Sequence, residues 1–266
     1  MSVETIVQDG AHKIRFHARI IWALLMRELA TRYGRDNIGF LWIIGEPVIF
    51  CVGVLIMWSI IKPPYEHGIK IVPFVITGYL PLTVMRHMFG QGIHTVEVNS
   101  GLLYHRNITI LHLYIARLLL EVLGVSLAGV IIITGLISLD LMLPPQNLKL
   151  IYAGWFSFAW LIFGMTVTFG SAAAIFKQIE RVVNLLTYVM IPLTGCFYMV
   201  DWIPSKFRST VLLIPFLNCT EMFRAGFFGE FVHTYFSLSY VLYWGAGFNL
   251  LGLLLLQFVR SRIDVD

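Results

Sequence analysis

The chain has few charged residues for its size. Of its 266 residues, 13% are charged and 58% are hydrophobic, whereas soluble domains carry about 25% charged residues. So little polar surface cannot keep a globule of this size in solution, and we therefore expect an integral membrane protein. The net charge of +4 comes from basic residues spread over the ends of segments. These basic residues do not form one patch, so we do not expect nucleic acid as a partner.

Cysteine is also scarce. The three cysteines, Cys51, Cys196 and Cys219, are far apart and lack any Cys-x-x-Cys spacing, which argues against a disulfide framework or a zinc site. We expect them to be buried, unreactive thiols. A cleavable signal peptide is not expected either, because the first apolar stretch is short and ends at Arg27. The first long apolar segment should then be an uncleaved anchor.

Motifs for nucleotide or metal chemistry are missing. The sequence contains no Gly-x-x-x-x-Gly-Lys-Ser/Thr and no His-Glu-x-x-His. His87, His94, His105 and His112 lack carboxylate or cysteine partners at ligand spacing. We therefore expect no metal, no catalytic site and no cofactor bound by this chain.

Long apolar stretches, however, are abundant. About 20 apolar residues are needed to cross the hydrocarbon core as a helix, and six stretches approach or exceed that length. We therefore predict an all-α polytopic membrane protein with a single transmembrane domain over residues 36–266. The predicted spans are residues 38–61, 69–90, 110–139, 150–176, 182–200 and 236–259.

The segment before the first span has a different pattern. Residues 1–15 show no periodicity and are expected to be frayed, and residues 1–35 as a whole should be cytoplasmic. Residues 16–34 form an amphipathic pattern, with Arg27, Glu28 and Thr31 on the polar face, which suits a helix at the membrane interface. The apolar face comprises Trp22, Leu25, Met26, Leu29 and Tyr33.

Two polar interruptions divide the spans. Residues 91–108 are expected to form roughly two short helices. Residues 201–235 hold two apolar pieces, 207–217 and 222–232, each too short to cross, so we predict a re-entrant hairpin. The residues expected to separate the pieces are Pro215, Asn218 and Glu221.

Lysine and arginine predict the orientation. If both termini are placed in the cytoplasm, most of the lysines and arginines fall on the cytoplasmic side. A full crossing at residues 201–235 would instead put Arg260 and Arg262 outside, which favours the hairpin.

Ionisable residues inside the spans are candidates for a transport path, since charges are costly in lipid. They are Glu46, Arg86, Arg117 and Glu121. Arg117 and Glu121 lie one turn apart and favour a mutual ion pair. Arg86 has no evident partner in the sequence, and snorkelling to the interface is the alternative.

Aromatic residues are frequent towards the predicted outer side, among them Tyr198, Trp202 and Tyr235. An interfacial belt explains them. A stacking surface for sugar rings is the second interpretation.

Two motifs carry a family resemblance. The first comprises Arg27-Glu28-Leu29, Arg32-Tyr33-Gly34, Gly39-Phe40-Leu41-Trp42 and Glu46-Pro47. The second is Asn218-Cys219-Thr220-Glu221-Met222-Phe223-Arg224-Ala225-Gly226 with the two phenylalanines that follow. Together with the six-span layout, they resemble the membrane permeases of polysaccharide-exporting ABC transporters, in particular the capsule-exporting branch.

The resemblance implies a homodimer that binds two copies of a cytoplasmic ATPase subunit, which carries the ATP and magnesium. It implies export of a lipid-linked, often acidic polysaccharide across the inner membrane of a Gram-negative bacterium. A periplasmic adaptor and an outer-membrane export protein would complete the route.

The resemblance also implies roles for particular residues. The expected substrate entrance comprises Arg27, Arg32, Tyr33, Arg35, Trp42 and Glu46, and anchoring to anionic lipid headgroups is the alternative for the arginines. The expected channel residues are Arg86, Arg117, Glu121, Tyr198, Trp202 and Tyr235. Those expected to couple to the ATPase are His94, Glu97, Asn99, His105 and Arg106.

Other functions remain open at this point. Export of lipopolysaccharide O-antigen or of another lipid-linked glycan is the alternative within transport. A membrane-embedded lipid-modifying enzyme and a non-transport scaffold are alternatives from other classes. An enzyme would require carboxylates or histidines clustered at one membrane face, which the sequence alone does not indicate.

Overall fold

A computed structural model describes residues 3–33, 39–103 and 107–263, and this part of the chain is mostly helical. Helices suit lipid because each one satisfies its own backbone hydrogen bonds. A small antiparallel hairpin follows the second helix. The elements are α1 (Val3–Tyr33), α2 (Gly39–Ile61), β1 (Tyr65–Glu66), β2 (Ile69–Lys70), α3 (Ile71–Gly92), α4 (Thr95–Val98), α5 (Ser100–Leu103), α6 (Ile110–Ser138), α7 (Leu148–Ile175), α8 (Lys177–Leu193), α9 (Ser205–Val211), α10 (Pro215–Phe228) and α11 (Leu238–Ile263).

Five of these helices are long and apolar enough to cross a membrane, namely α2, α3, α6, α7 and α11. Their bounds agree with the predicted first, second, third, fourth and sixth spans to within a few residues. The segments α9 and α10 satisfy the same criterion only when taken together, and they are bent by 111° at the break between them. The chain is therefore an all-α polytopic membrane protein with five or six candidate spans.

The fifth predicted span, 182–200, has the wrong bounds. Helix α8 begins at Lys177 and ends at Leu193, so it is about 25 Å long at the usual rise per residue. That is shorter than the roughly 30 Å hydrocarbon core. The chain turns directly afterwards, where Gly195 adopts a φ of +77°, a left-handed conformation that commonly ends helices.

Helix α3 lies at the centre of the bundle. It packs against α2, α6, α7, α8 and α10, and most of its residues are buried. Pro73 lies in the first turn, where no helical hydrogen bond is lost, and the helix continues through Pro81 to Gly92. The core of the protein is therefore built around α3.

Helix α1 begins at Val3, so the prediction of a frayed segment over residues 1–15 is wrong for the described part. Leu24 and Leu25 are buried against α6. Trp22 and Met26, which were predicted on the same apolar face, are exposed. The apolar surface of α1 is thus divided between a contact with α6 and an outward-facing part.

Small residues allow α7 to approach its neighbours closely. A Cβ atom added at Gly154 would lie 2.6 Å from the backbone nitrogen of Phe223 in α10. One added at Gly164 would lie 2.8 Å from the backbone nitrogen of Asn249 in α11. Glycine at such positions brings helix backbones into contact, which is how helices associate without a hydrophobic driving force in lipid.

Gly154→Ala should therefore destabilise the fold, because its methyl group has no space beside α10. Overpacking of this kind costs about 1–3 kcal/mol. The measurement is the unfolding temperature of the purified chain in detergent. Gly53→Ala in α2 is the matched control, since nothing lies within 4 Å of an added Cβ there, and it should leave the unfolding temperature unchanged or raise it. Equal unfolding temperatures for the two variants would contradict the packing described here.

Candidate functional site

A mainly apolar pocket with a few charged residues lies between α2 and α3, near the first turns of α2 and the last turns of α3. Its volume is about 300 Å³. The pocket brings together two residues predicted for the entrance, Trp42 and Glu46, with Arg86, which was predicted for the channel. The residues that line it include Trp42, Glu46, Phe50, Thr83, Arg86 and His87.

Arg86 is exposed although it belongs to a candidate span. Its guanidinium carbon lies 5.0 Å from the centre of the Phe50 ring, a cation–π contact. Among the described residues, no hydrogen-bond acceptor or carboxylate partner is found for this guanidinium. The aromatic contact therefore holds the side chain while its N–H groups stay available.

His87 links three helices. Its Nδ1 atom lies 2.9 Å from Oε2 of Glu121 in α6, and its Nε2 atom lies 3.5 Å from Oε1 of Glu46 in α2. With a carboxylate facing each ring nitrogen, both nitrogens can donate hydrogen bonds only in the imidazolium form. The sequence did not single out His87 for the site, although an ionisable residue next to Arg86 in an apolar run was a usable signal.

Arg117 is buried and joins α6 to α1 and α3. Its Nη1 atom lies 3.2 Å from Oε1 of Glu28, and its Nη2 donates a 2.6 Å hydrogen bond to Oε1 of Gln91. The spacing predicted a pair with Glu121, whereas these partners lie on other helices. Glu28, predicted on the outward polar face of α1, faces α6 instead. The reason is that a buried guanidinium requires a carboxylate nearby.

The polar insert after α3 contains two short helices, α4 and α5, as predicted. Its residue Asn99 accepts a 3.1 Å hydrogen bond from Nη1 of Arg27. This contact connects the insert to the N-terminal helix. His105 and Arg106 lie outside the described residues.

The insert also contacts α8. Nδ1 of His94 lies 3.4 Å from Oε1 of Glu180, and Oε1 of Glu97 lies 4.0 Å from Nζ of Lys177. Ligand atoms of His94, Glu97 and Glu180 all lie within 4.8 Å of one another, so they could surround a cation. The Lys177 ammonium already supplies positive charge there. The expectation that the chain holds no metal stays a prediction.

Part of the predicted entrance lies outside the description. Nothing is described of Arg35 or of the side chains of Arg32 and Tyr33. Of the remaining entrance residues, Trp42 and Glu46 line the pocket, and Arg27 contacts the insert.

At the other end of α3, the segment predicted to be a hairpin forms two helices bent by 111°, and the break between them lies elsewhere than predicted. Helix α9 ends at Val211 and α10 begins at Pro215. Asn218 and Glu221 were predicted to separate the pieces but lie within α10. Proline is favoured in the first helical turn because its missing N–H has no partner there, so Pro215 starts α10.

Two fully buried charges fix α10. Nη1 of Arg224 lies 3.7 Å from Oε1 of Glu221 and donates a 2.7 Å hydrogen bond to the carbonyl of Tyr198. The guanidinium carbon lies 4.6 Å from the centre of the Phe74 ring in α3. The Glu221 carboxylate accepts 3.3 Å hydrogen bonds from the backbone N–H groups of Val200 and Tyr235. The second motif of the sequence thus forms an ion pair that attaches the hairpin to α3.

The aromatic channel candidates lie at this same end. Trp202 packs against His67 and Phe74, with ring centres 4.9 and 4.7 Å apart. The hydroxyl of Tyr235 accepts a 2.8 Å hydrogen bond from Arg208. Phe74 and Arg86 are about 18 Å apart along α3 by helical rise. The six residues predicted for the channel therefore form two groups at different levels of the bundle, and their role as a channel lining stays a prediction.

These observations define a class: a polytopic helical membrane protein with buried charge clusters at two levels of its bundle. No family model matches the chain. It is 37% identical over 223 residues to the capsule polysaccharide export inner-membrane protein CtrC of Neisseria meningitidis serogroup B, covering 84% of each chain. It is 34% identical over 251 residues to BexB of Haemophilus influenzae, covering 94% of this chain and 95% of BexB.

A more distant relative is the polysialic acid transport protein KpsM of Escherichia coli, 22% identical over 82% of this chain and 85% of KpsM. The chain belongs to the family of capsule polysaccharide export inner-membrane proteins. The resemblance seen in the two sequence motifs is confirmed.

Replacing Arg224 by methionine should destabilise the protein strongly, because it leaves the Glu221 carboxylate buried without its cation. Loss of one partner of a buried pair costs about 3–5 kcal/mol. Thermal unfolding of the purified variant in detergent measures this. Lys206→Met removes an exposed cation from the same hairpin and should have little effect. Similar losses in both variants would show that the buried pair does not stabilise the hairpin.

Proposed function

We propose that the chain is the transmembrane permease subunit of an ABC exporter that moves lipid-linked, acidic capsular polysaccharide across the inner membrane. The observation that carries this proposal is the identity of 33–37% with proteins named for capsule polysaccharide export, over most of the chain. Since the sequence has no P-loop, the proposal assigns ATP and magnesium to a separate ATPase subunit. It also assigns no cofactor to this chain.

The proposed assembly has two copies of this chain and two ATPase subunits. A periplasmic adaptor and an outer-membrane export protein would continue the route. Both termini are assigned to the cytoplasm, in accord with the distribution of lysine and arginine. The polar insert with α4 and α5 would then face the ATPase, and the pocket between α2 and α3 would lie near the cytoplasmic side.

We retain six crossings in this proposal, with α8 as the fifth. The support is that α8 exposes an apolar face, formed by Val182, Leu185, Tyr188 and Val189, which lipid or a second subunit would cover. The 111° bend between α9 and α10 fits a re-entrant hairpin. Helix α1 would lie at the cytoplasmic interface, with Trp22 and Met26 exposed towards lipid.

Within this arrangement the substrate enters beside Trp42, Glu46 and Arg86. The proposed coupling path starts at the insert. From there it reaches α1 through Asn99 and Arg27, and α8 through His94 and Glu180. A movement of the insert caused by the ATPase would thus act on two helices at once.

Two alternatives are specific enough to test. The chain is 21% identical to the O-antigen export permease RfbA of Klebsiella pneumoniae, so O-antigen export is the alternative within transport. The Glu46, His87 and Glu121 cluster is of the kind that an enzyme would need. We assign it to substrate passage because the relatives are named as export or transport proteins.

Deleting the gene should abolish capsular polysaccharide at the cell surface and leave polysaccharide inside the cell, while O-antigen stays at its normal level. Staining of surface and internal polysaccharide measures both, and a plasmid copy of the gene is the control. Intact capsule in the deletion strain would exclude the proposed function, and loss of O-antigen alone would favour the alternative.

The coupling path predicts that His94→Ala combined with Asn99→Ala lowers export several-fold while the chain still co-purifies with the ATPase. The reason is that the insert then loses the His94–Glu180 contact to α8 and the Asn99–Arg27 contact to α1 but keeps the rest of its surface. Surface polysaccharide and co-purified ATPase are measured in the same strains. Asn184→Ala, an exposed asparagine of α8, is the control. Normal export by the double variant would remove these two residues from the coupling path.

A further inference from the structure

The pocket between α2 and α3 contains three different binding groups. Arg86 supplies a guanidinium whose N–H groups have no acceptor among the described residues, and it is held in position over Phe50. Glu46 supplies a carboxylate, and Trp42 supplies an indole ring. The side chain of Glu46 is 45% exposed and Trp42 is 51% exposed. A donor, an acceptor and a flat apolar surface are thus all open to one small volume.

Arg86 is the group that most needs a ligand. It belongs to a candidate span, where a charged side chain is costly unless it is paired or faces water. Arg117, a second arginine near this end of α3, is already paired with Glu28 and Gln91. A guanidinium binds carboxylates and phosphates with two parallel hydrogen bonds, so an anionic group is the expected partner of Arg86.

The remaining lining restricts which anion fits. Glu46 lies beside the pocket and would repel a bare anion; Nε2 of His87 lies 3.5 Å from this carboxylate. A ligand that also carries hydroxyl groups can donate to this carboxylate. The apolar face of a sugar ring can pack on Trp42, as rings do on aromatic surfaces. A volume of about 300 Å³ is at the lower end for small-molecule pockets, which suits a single ring.

We infer that this pocket binds one anionic sugar unit of the exported glycan. Arg86 holds its carboxylate or phosphate, Glu46 accepts a hydroxyl group, and Trp42 packs against the ring. The inference rests on the proposed function and adds the pocket and the three side chains that recognise one unit of the glycan. The anionic group can come from an acidic sugar of the repeat or from a phosphorylated sugar at the lipid end, and the experiment separates these sources.

The test is calorimetric binding to the purified full chain in phosphatidylcholine nanodiscs. The probes are a glucuronic acid oligosaccharide, glucose 1-phosphate and neutral maltohexaose. We expect one or both anionic probes to bind and maltohexaose not to bind. Arg86→Gln should weaken anionic binding at least tenfold, about 1.4 kcal/mol, and Arg86→Lys should weaken it less. Arg181→Gln, which removes an exposed arginine of α8, should leave binding unchanged.

The pattern of probes identifies the source. Binding of the oligosaccharide points to the repeat, and binding of glucose 1-phosphate points to the lipid end. Equal binding by Arg86→Gln and the wild-type chain, or no binding of either anionic probe, would overturn the inference. A third outcome would also overturn the inference. If neither anionic sugar binds, and native mass spectra show that the wild-type chain retains phosphatidylglycerol but Arg86→Gln does not, the pocket is a lipid contact.

This outcome is independent of the test of the proposed function. If gene deletion removes the capsule but Arg86→Gln binds the probes normally, only the sugar pocket is wrong. If the capsule survives the deletion, the export proposal fails whatever the binding data show.

Discussion

A fully buried ion pair, Glu221 with Arg224, is the interaction on which one end of the molecule depends. Buried charges are stable when they are paired and hydrogen-bonded. This pair recruits the backbone at Tyr198, Val200 and Tyr235, while Nε and Nη2 of Arg224 have no hydrogen-bond partner among the described residues. The hairpin of α9 and α10, the turn after α8 and the first turns of α3 are therefore held as one unit. The close glycine contacts of α7 with α10 add to it.

The opposite end of α3 is built from charges as well, but less tightly. Arg117 is buried with Glu28 and Gln91, whereas His87, Glu46 and Arg86 remain partly open to the pocket. Contacts near solvent cost little to break, while buried ones cost several kcal/mol. One end is thus suited to stay fixed and the other to change. A transport path that binds its substrate at one end would need such a division.

Much of the fold could be predicted from the chain. Five apolar stretches gave helices with nearly the predicted bounds, and the two short helices of the insert and a broken segment before the last span were also predicted. The end of α8 was missed because it depends on the left-handed conformation of Gly195. The start of α10 was missed because Pro215 was interpreted as an interruption rather than as a first-turn residue. In α1, the packing of Leu24 and Leu25 on α6 decided which apolar residues are covered.

The sequence by itself determined the class of protein, five of the six predicted spans, the two motifs of the family and the group formed by Trp42 and Glu46. These follow from composition and local spacing, since lipid demands long apolar helices and neighbouring residues in a helix share a face. Only the tertiary structure decided which charges meet. It placed Arg86 and Glu46 in the same pocket, paired Arg117 with Glu28, and separated the aromatic channel candidates from the charged ones. Such pairs join residues far apart in the chain, and local periodicity does not predict which helices pack against each other.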